Sequence, residues 1–225
     1  MGQAADLQAL RERLAEISDL GRAAGVLGWD QRVTMPPAGS ESRADQLATL
    51  SRIRHERFVD DEVGRLLDRL RPLEESHAYD SDEASLIRVT RRDWEKTRRV
   101  PSSLAEALTR AASIGQQAWV EAKRTDDFGA FLPHLRTNLE LARRYVELFE
   151  PEDAPYTALL DDYERDMTTT EVREVFATLR PALTELIRGA PQVDASFLRG
   201  QFDPERQRSF GETVVSTLGF EPGTW

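Results

Sequence analysis

Apolar side chains recur every three or four residues along most of the chain, a spacing typical of amphipathic α-helices. The stripe near the start consists of Leu7, Leu10, Leu14, Ile17, Leu20 and Ala24. The most regular stripe consists of Phe128, Phe131, Leu135, Leu139, Ala142, Val146 and Phe149. No segment shows the two-residue alternation of a strand bounded by hairpin turns. We therefore predict an all-α protein in which these stripes form the core.

Glycine and proline predict where the first helices end. Gly25, Gly28 and the Pro36-Pro37 pair predict the end of the first helix, because proline lacks the backbone donor that a helix needs. A second helical region is predicted from about residue 41 to Pro72, and a third, highly charged helix over residues 80–99.

Capping patterns predict the boundaries of the later helices. These patterns are Ser103 with Glu106, Thr168 with Glu171, Asp203-Pro204, and Gly219 at the end of the last helix. A further apolar stripe follows Thr168 and consists of Val172, Val175, Phe176, Leu179, Leu183, Leu186 and Ile187. Residues 189–203 are interpreted as a loop inside one domain, so we predict a single helical domain over residues 1–225.

Composition excludes several classes of protein. The 225 residues carry a formal net charge of −10, which disfavours nucleic-acid binding, since that requires a basic face. The sequence has no cysteine, which fits a reducing cytoplasm. No apolar run approaches the ~20 residues that span a bilayer, and the charged first twenty residues exclude a signal-peptide core. We expect a cytoplasmic protein without membrane or nucleic-acid partners.

Four segments of the chain resemble the N-terminal half of the Taq-type metallocarboxypeptidase family. They are Leu-Gly-Trp-Asp-Gln followed by Met-Pro-Pro in residues 27–37, Arg-Asp-Trp-Glu-Lys in 92–96, Asp-Phe-Gly-Ala-Phe-Leu-Pro-His-Leu in 127–135, and Pro-Tyr-Thr-Ala-Leu-Leu-Asp-Asp-Tyr-Glu in 155–164. The resemblance implies the helical N-terminal portion of the gluzincin-like metallocarboxypeptidase fold. It also implies an intact enzyme that releases C-terminal residues from peptides, with a zinc ion held by a His-Glu-x-x-His helix.

The zinc motif itself is absent from these residues. Two histidines one helical turn apart, with a glutamate between them, would be needed to hold and use the ion. The chain has only His55, His77 and His134, and the pattern that begins at His55 fails because Val59 stands where the second histidine is required. His55 is interpreted as a surface or helix-end residue. We predict that this chain binds no cofactor and is inactive alone.

Two acidic patterns are interpreted as structural. A single Glu-x-x-His at Glu74–His77, beside Pro72 in a predicted loop, lacks the further ligands of a di-iron site. An acidic cluster does not follow the EF-hand spacing, so solvated charges and capping are the favoured interpretation. Its members are Asp161, Asp162, Glu164 and Asp166.

The predicted third helix concentrates positive charge. Its basic residues are Arg88, Arg91, Arg92, Lys96, Arg98 and Arg99. One interpretation is a wall of a peptide groove that attracts a substrate carboxylate. The favoured interpretation is a solvated face whose charges pair with Asp82, Glu83, Asp93 and Glu95.

Five residues of the family segments remain as possible groove residues: Trp29, Asp30, Met35, Arg92 and Trp94. For Trp29 and Asp30 a structural role is favoured. In that role Trp29 is a core anchor, and Asp30 caps or braces the Pro36-Pro37 turn through backbone amides.

Three functional hypotheses follow. The first is an inactive helical portion of a metallocarboxypeptidase, whether a truncated gene product, a frameshift remnant or a deliberately shortened chain. The second is a noncatalytic helical interaction module, and the third is one chain of a split enzyme. A peptide substrate is expected only if the catalytic half is supplied, and the chain could form a homodimer, as intact family members typically do.

Overall fold

The computed structural model describes residues 2–191 and 193–221. Within these residues all regular structure is helical, which confirms the all-α prediction. The helices are α1 (Gln3–Val33), α2 (Ser40–Phe58), α3 (Asp61–Ser76), α4 (Asp82–Thr97), α5 (Ser102–Thr125), α6 (Phe128–Glu147), α7 (Pro155–Leu160), α8 (Thr169–Gly189) and α9 (Pro204–Thr217). Short 3-10 turns lie at Pro37–Gly39 and Ser196–Leu198. None of the helices in these ranges is long and apolar enough to cross a membrane.

The chain divides into two compact units, Met1–Val172 and Arg173–Trp225. The first unit contains α1 to α7 and the first turn of α8. The second contains the rest of α8, the 3-10 turn Ser196–Leu198 and α9. A single domain over residues 1–225 stays a prediction.

The core of the first unit consists of two apolar clusters. One joins α1, α3 and α4 through Leu7, Leu10, Val63, Leu66, Leu67, Leu70 and Ile87. The other joins α5 and α6 through Val100, Leu104 and Leu141. The start of the α1 stripe is thus core, as predicted.

The contact between α3 and α4 depends on a glycine. The Trp94 ring lies where a side chain at Gly64 would be, because a Cβ there would lie 2.6 Å from Trp94 Cζ2. The indole also packs against the first cluster. A residue without a side chain therefore sets how closely the two helices approach.

The predicted second helical region is wrong in two respects. The region predicted from residue 41 to Pro72 is two helices, since α2 ends at Phe58 and the Asp60 carboxylate caps α3 by accepting from Glu62 N at 2.8 Å. Pro72 lies inside α3 and does not end it. Leu70 and Leu73 on either side pack into the core, which offsets the one backbone bond that proline cannot make.

The observed ends of α3 and α1 correct two further predictions. Because α3 continues to Ser76, the Glu74–His77 pattern begins in a helix and not in a loop. Gly25 and Gly28 do not end α1, which passes through both and ends at Val33 just before Pro36-Pro37. Glycine lowers helix propensity by only about 1 kcal/mol, which the rest of a 31-residue helix tolerates.

Capping chemistry was predicted correctly at three of the four positions. Thr168 and Glu171 form the reciprocal capping box: Glu171 N donates to Thr168 Oγ1 at 3.1 Å, and Thr168 N donates to Glu171 Oε2 at 2.7 Å. Asp203 caps α9 by accepting from Glu205 N at 3.0 Å.

The end of α9 also follows the sequence pattern, whereas the start of α5 does not. Gly219 has φ +88°, and Gly219 N and Phe220 N donate to the carbonyls of Ser216 and Val215, each at 3.0 Å. The capping box predicted at Ser103 and Glu106 is wrong. α5 begins two residues earlier, at Ser102, with Pro101 before it and no side-chain cap.

Two apolar stripes predicted as core are not buried: the α6 stripe is partly exposed, and the α8 stripe is almost entirely exposed. In α6 the stripe residues Phe128 and Leu139 are exposed, and the buried residue of that helix is Leu141, which lies off the stripe. In α8 the side chains of Val175, Phe176, Leu179, Leu183, Leu186 and Ile187 are all exposed. No residue described between positions 173 and 221 is buried. Periodicity identifies the apolar face of a helix but not whether a partner covers it.

Candidate functional site

A cleft of about 470 Å³ opens among α1, α2, α4, α5 and α6 in the first unit. We call it the α2–α4 cleft. Its apolar lining includes Ile17, Phe58, Val100 and Leu108. Its polar lining includes Arg54, His55, Arg92, Asp93, Lys96, Tyr145 and Asp162. The cleft therefore combines an apolar surface with a dense group of charges.

A network of ion pairs forms one wall of the cleft. Lys96 Nζ lies 2.6 Å from both Asp161 Oδ2 and Asp162 Oδ1. Arg92 donates to Asp161 Oδ1 at 2.8 Å and to the Asp161 carbonyl at 3.3 Å. These partly buried pairs join α4 to the segment that follows α7. Such charge-assisted bonds are stronger than neutral ones.

The network shifts the pKa of two of its members. Burial raises the pKa of Asp161, but the bonds from Lys96 and from the Asp166 amide, with the charge of Arg92, outweigh it and lower that pKa overall. Burial and then the charge of Asp162 raise the pKa of Tyr145 far above its ordinary value. Tyr145 thus stays a hydroxyl, and its Oη donates to both carboxylate oxygens of Asp162 at 3.2 Å.

His55 also lines the cleft, in the last turn of α2. It is half-buried, and burial lowers its pKa even though the bond to the Val100 backbone and the charge of Glu56 act in the opposite direction. The imidazole is therefore largely neutral at pH 7. No sequence signal marked this residue beyond the failed zinc pattern.

The five residues predicted as possible groove residues lie in three separate places. Arg92 lines the α2–α4 cleft. Trp94 is on the same helix but packs against Gly64 of α3. Trp29 and Asp30 lie near the end of α1, and Met35 lies just beyond it, beside Gly39. The structure does not bring these five side chains into one site.

At the end of α1, the contacts of Trp29 and Asp30 differ from those predicted for their structural roles. Trp29 is 58% exposed, so its interpretation as a core anchor is wrong. The Asp30 carboxylate accepts from the Thr34 hydroxyl and, at 2.6 Å, from Arg43 Nη2, and these two bonds lower its pKa. Arg43 also donates to the Leu27 carbonyl. Asp30 therefore braces this turn through a hydroxyl and a guanidinium rather than through backbone amides.

The basic residues of α4 find most of their partners on other elements. Arg91 pairs with Asp68 and Glu74 of α3, and Arg92 and Lys96 pair with the acidic cluster after α7. Of the four acids predicted as partners, only Asp93 pairs with this set in the described chain, at 3.6 Å from Arg92. The solvated interpretation is thus wrong for Arg91, Arg92 and Lys96, and likewise for Asp161.

The described residues do not provide a zinc site. The three histidines lie on separate elements: His55 in α2, His77 after α3 and His134 in α6. Over residues 2–191 and 193–221, no group of three or more His, Cys, Asp or Glu side chains could hold a metal ion. The acidic cluster is instead occupied by Lys96 and Arg92.

Comparison with known proteins identifies the class as metallopeptidase. The family described as Carboxypeptidase Taq (M32) metallopeptidase matches residues 9–224. Thermostable carboxypeptidase 1 of Thermus thermophilus is 33% identical to this chain over a match that covers 95% of this chain and 44% of that protein. The chain therefore belongs to the M32 carboxypeptidase family.

Solved structures of the family agree with this fold. The crystal structure of BsuCP superposes with a TM-score of 0.85 at 25% identity, covering 96% of this chain and 44% of that one. The M32 carboxypeptidase of Deinococcus radiodurans gives a TM-score of 0.71 at 33% identity, with the same shares covered. The chain thus spans less than half the length of the relatives it matches, roughly their N-terminal 44%.

Proposed function

We propose that this chain is the helical, groove-forming portion of a zinc metallocarboxypeptidase and has no peptidase activity by itself. The observation that carries the proposal is the family match over residues 9–224 combined with the 44% share of the relatives' length. Hydrolysis of a peptide bond by this class needs a metal-bound water. In this proposal the metal and its ligands come from protein outside the matched portion.

The positions of the histidine and acidic side chains in the described chain support the proposal that the metal ligands come from another portion of the enzyme. The histidines lie on separate elements, and two of the four carboxylates in the acidic cluster, Asp161 and Asp162, are paired with Arg92 and Lys96. A peptide substrate therefore binds productively only when the metal-bearing portion is present. The net charge of −10 and the absence of cysteine support a cytoplasmic protein without a nucleic-acid partner as part of the same proposal.

The apolar face of α8 supports a polypeptide partner. Six of its apolar side chains are exposed, and exposed apolar patches of this kind mark protein interaction sites. The partner in our proposal is the metal-bearing portion of the same enzyme, whether joined or separate. The same face favours a second candidate function, a noncatalytic interaction module, and it offers a surface for a homodimer.

A peptidase assay tests the proposal. The purified chain is incubated with excess Zn²⁺ and an N-blocked dipeptide, with intact T. thermophilus thermostable carboxypeptidase 1 as the positive control. We expect no release of the C-terminal residue above buffer. Turnover together with one bound metal per chain would contradict the proposal.

A second arm separates the two candidate functions. The remaining portion of the T. thermophilus protein is added to the chain, and both association and turnover are measured. Zinc-dependent turnover above that of either part alone supports the enzyme portion. Association without turnover supports the interaction module.

A further inference from the structure

Residues 161–167 follow α7 and lie against α4, and we call this segment the strap. Every side chain of the strap is half-buried or exposed, and Tyr163 is 89% exposed. No strap residue belongs to either of the two apolar clusters of the first unit. The burial of apolar surface therefore does not hold the strap in place.

Charged groups hold the strap on α4. The Asp161 carboxylate accepts from Arg92 Nη2 and Lys96 Nζ, and Lys96 also pairs with Asp162. The same Asp161 carboxylate accepts from Asp166 N at 3.0 Å, which closes a turn within the strap. Asp166 has φ +61°, a conformation that residues with a side chain rarely adopt. One carboxylate thus maintains both the attachment of the strap and its internal turn.

The segments on either side of the strap are joined to each other without using α4. Thr169 N donates to Thr157 Oγ1 at 3.2 Å, and the hydroxyl oxygens of these two threonines lie 2.8 Å apart. Thr170 N donates to the Asp153 carboxylate at 3.0 Å. These bonds connect the start of α8 to α7 and to the residues before it. The strap can therefore leave α4 while α7 and the first turn of α8 stay together.

A cavity of about 160 Å³ lies beneath the strap. Its lining includes Asp166 and Met167 of the strap and Ala158 and Lys96 on the other side. Side chains that face a void lack contact atoms there and gain little dispersion energy. Lys96 also lines the α2–α4 cleft, as does Asp162 of the strap. The strap therefore forms part of the boundary of both spaces.

We propose that the strap opens from α4 as a unit while the helices of the first unit stay folded, and that opening widens the α2–α4 cleft. The closed state is held by ion pairs, and the open state gains chain entropy and hydration of the charges. Because these charges are only partly buried, added salt weakens the pairs and shifts the equilibrium towards the open state. Loss of the Lys96 charge acts in the same direction. The inference does not depend on peptidase activity.

Thiol labelling of the full 225-residue chain tests the proposal, since the sequence has no cysteine. Ala158→Cys places a thiol at the cavity beneath the strap, where the alanine is 6% exposed. Ala48→Cys is the reference, because Ala48 is 1% exposed within α2 and is reached only by wider unfolding. Each labelling rate is divided by the rate of the same variant unfolded in urea. We expect Ala158→Cys to react at least about tenfold faster than Ala48→Cys. Sodium chloride from about 0.05 M to about 0.5 M should accelerate only Ala158→Cys.

A matched pair of charge variants identifies what holds the strap. Lys96→Gln should accelerate the labelling of Ala158→Cys at least about tenfold and leave that of Ala48→Cys nearly unchanged. Arg124→Gln is the control, because Arg124 pairs with Glu121 within α5 and not with the strap. It should change neither rate. Equal acceleration of both thiols by Lys96→Gln would overturn the proposal, since wider unfolding would then be the route to the cavity. Rates at Ala158→Cys that neither salt nor Lys96→Gln changes would overturn it as well.

Hydrogen exchange measures the same opening in the unchanged chain, where no introduced thiol can disturb folding. The Asp166 amide, which donates to Asp161, should exchange at least about tenfold faster than the Leu67 amide in the core of α3. Added salt should accelerate the Asp166 amide and not the Leu67 amide. Exchange of both amides at one rate that salt does not change would contradict local opening of the strap.

Discussion

Replacing Gly64 with alanine tests the close contact between α3 and α4. Alanine in a helix is favoured over glycine by up to about 1 kcal/mol. Against this gain, the new Cβ would lie 2.6 Å from Cζ2 and 2.8 Å from Cη2 of Trp94. The rigid indole is packed against the first core cluster and has little room to move. Overpacking of this kind costs about 1–3 kcal/mol. We therefore expect Gly64→Ala to lower the free energy of unfolding by about 1–2 kcal/mol.

Urea unfolding followed by far-UV circular dichroism measures this change. Gly25→Ala is the matched control, because Gly25 also lies inside a helix but nothing surrounds its added Cβ within 4 Å. That variant should be more stable than the unchanged chain by up to about 1 kcal/mol. Adding Trp94→Leu to Gly64→Ala should recover part of the loss, as a double-mutant cycle would report.

The result that refutes the reasoning is a stabilised Gly64→Ala variant. If Gly64→Ala and Gly25→Ala both raise the free energy of unfolding, helix propensity alone governs position 64. The Trp94 ring would then not constrain the approach of α3 and α4.

Two further predictions concern the ion-pair network and the exposed face of α8. Asp161→Asn should lower the free energy of unfolding by about 1–3 kcal/mol at neutral pH, because Lys96 loses a charged acceptor. The folded pKa of Asp161 lies below its ordinary value of 3.8, so its contribution is complete above that value and is lost as the pH falls through the folded pKa. The difference between the two proteins, measured by urea unfolding, should therefore shrink between about pH 5 and about pH 2, and a constant difference would contradict this linkage. Replacing Leu179 and Leu183 of α8 together by glutamate should weaken self-association in sedimentation velocity, whereas unchanged association would show that copies of the chain do not meet on this face.

Local chemistry made the helices and several of their boundaries predictable. The Thr168–Glu171 box, the Asp203 cap and the Gly219 turn each depend on residues that are neighbours in the chain. Boundaries that depend on distant packing were not predictable in this way. Pro72 continues a helix because its neighbours are held in a core built from α1 and α4.

The candidate site was less predictable than the fold. Arg92 and Lys96 were recognised as a basic group, but the proposed partners were acids of their own helix. Their actual partner Asp161 is 69 and 65 positions away, a pairing that helical spacing cannot indicate. His55 was set aside because its sequence pattern fails, yet it lines the cleft from the end of α2.

The sequence by itself determined the helical class, the family and most of the capping, because each depends on residue types within short segments of the chain. The tertiary structure alone decided which apolar faces are covered and which charges meet. Leu10 is fully buried, whereas Phe176 on an equally regular stripe is 58% exposed. The physical reason is that burial and ion pairing each need two surfaces in contact. An apolar stripe or a charge on one helix does not specify which other surface will contact it.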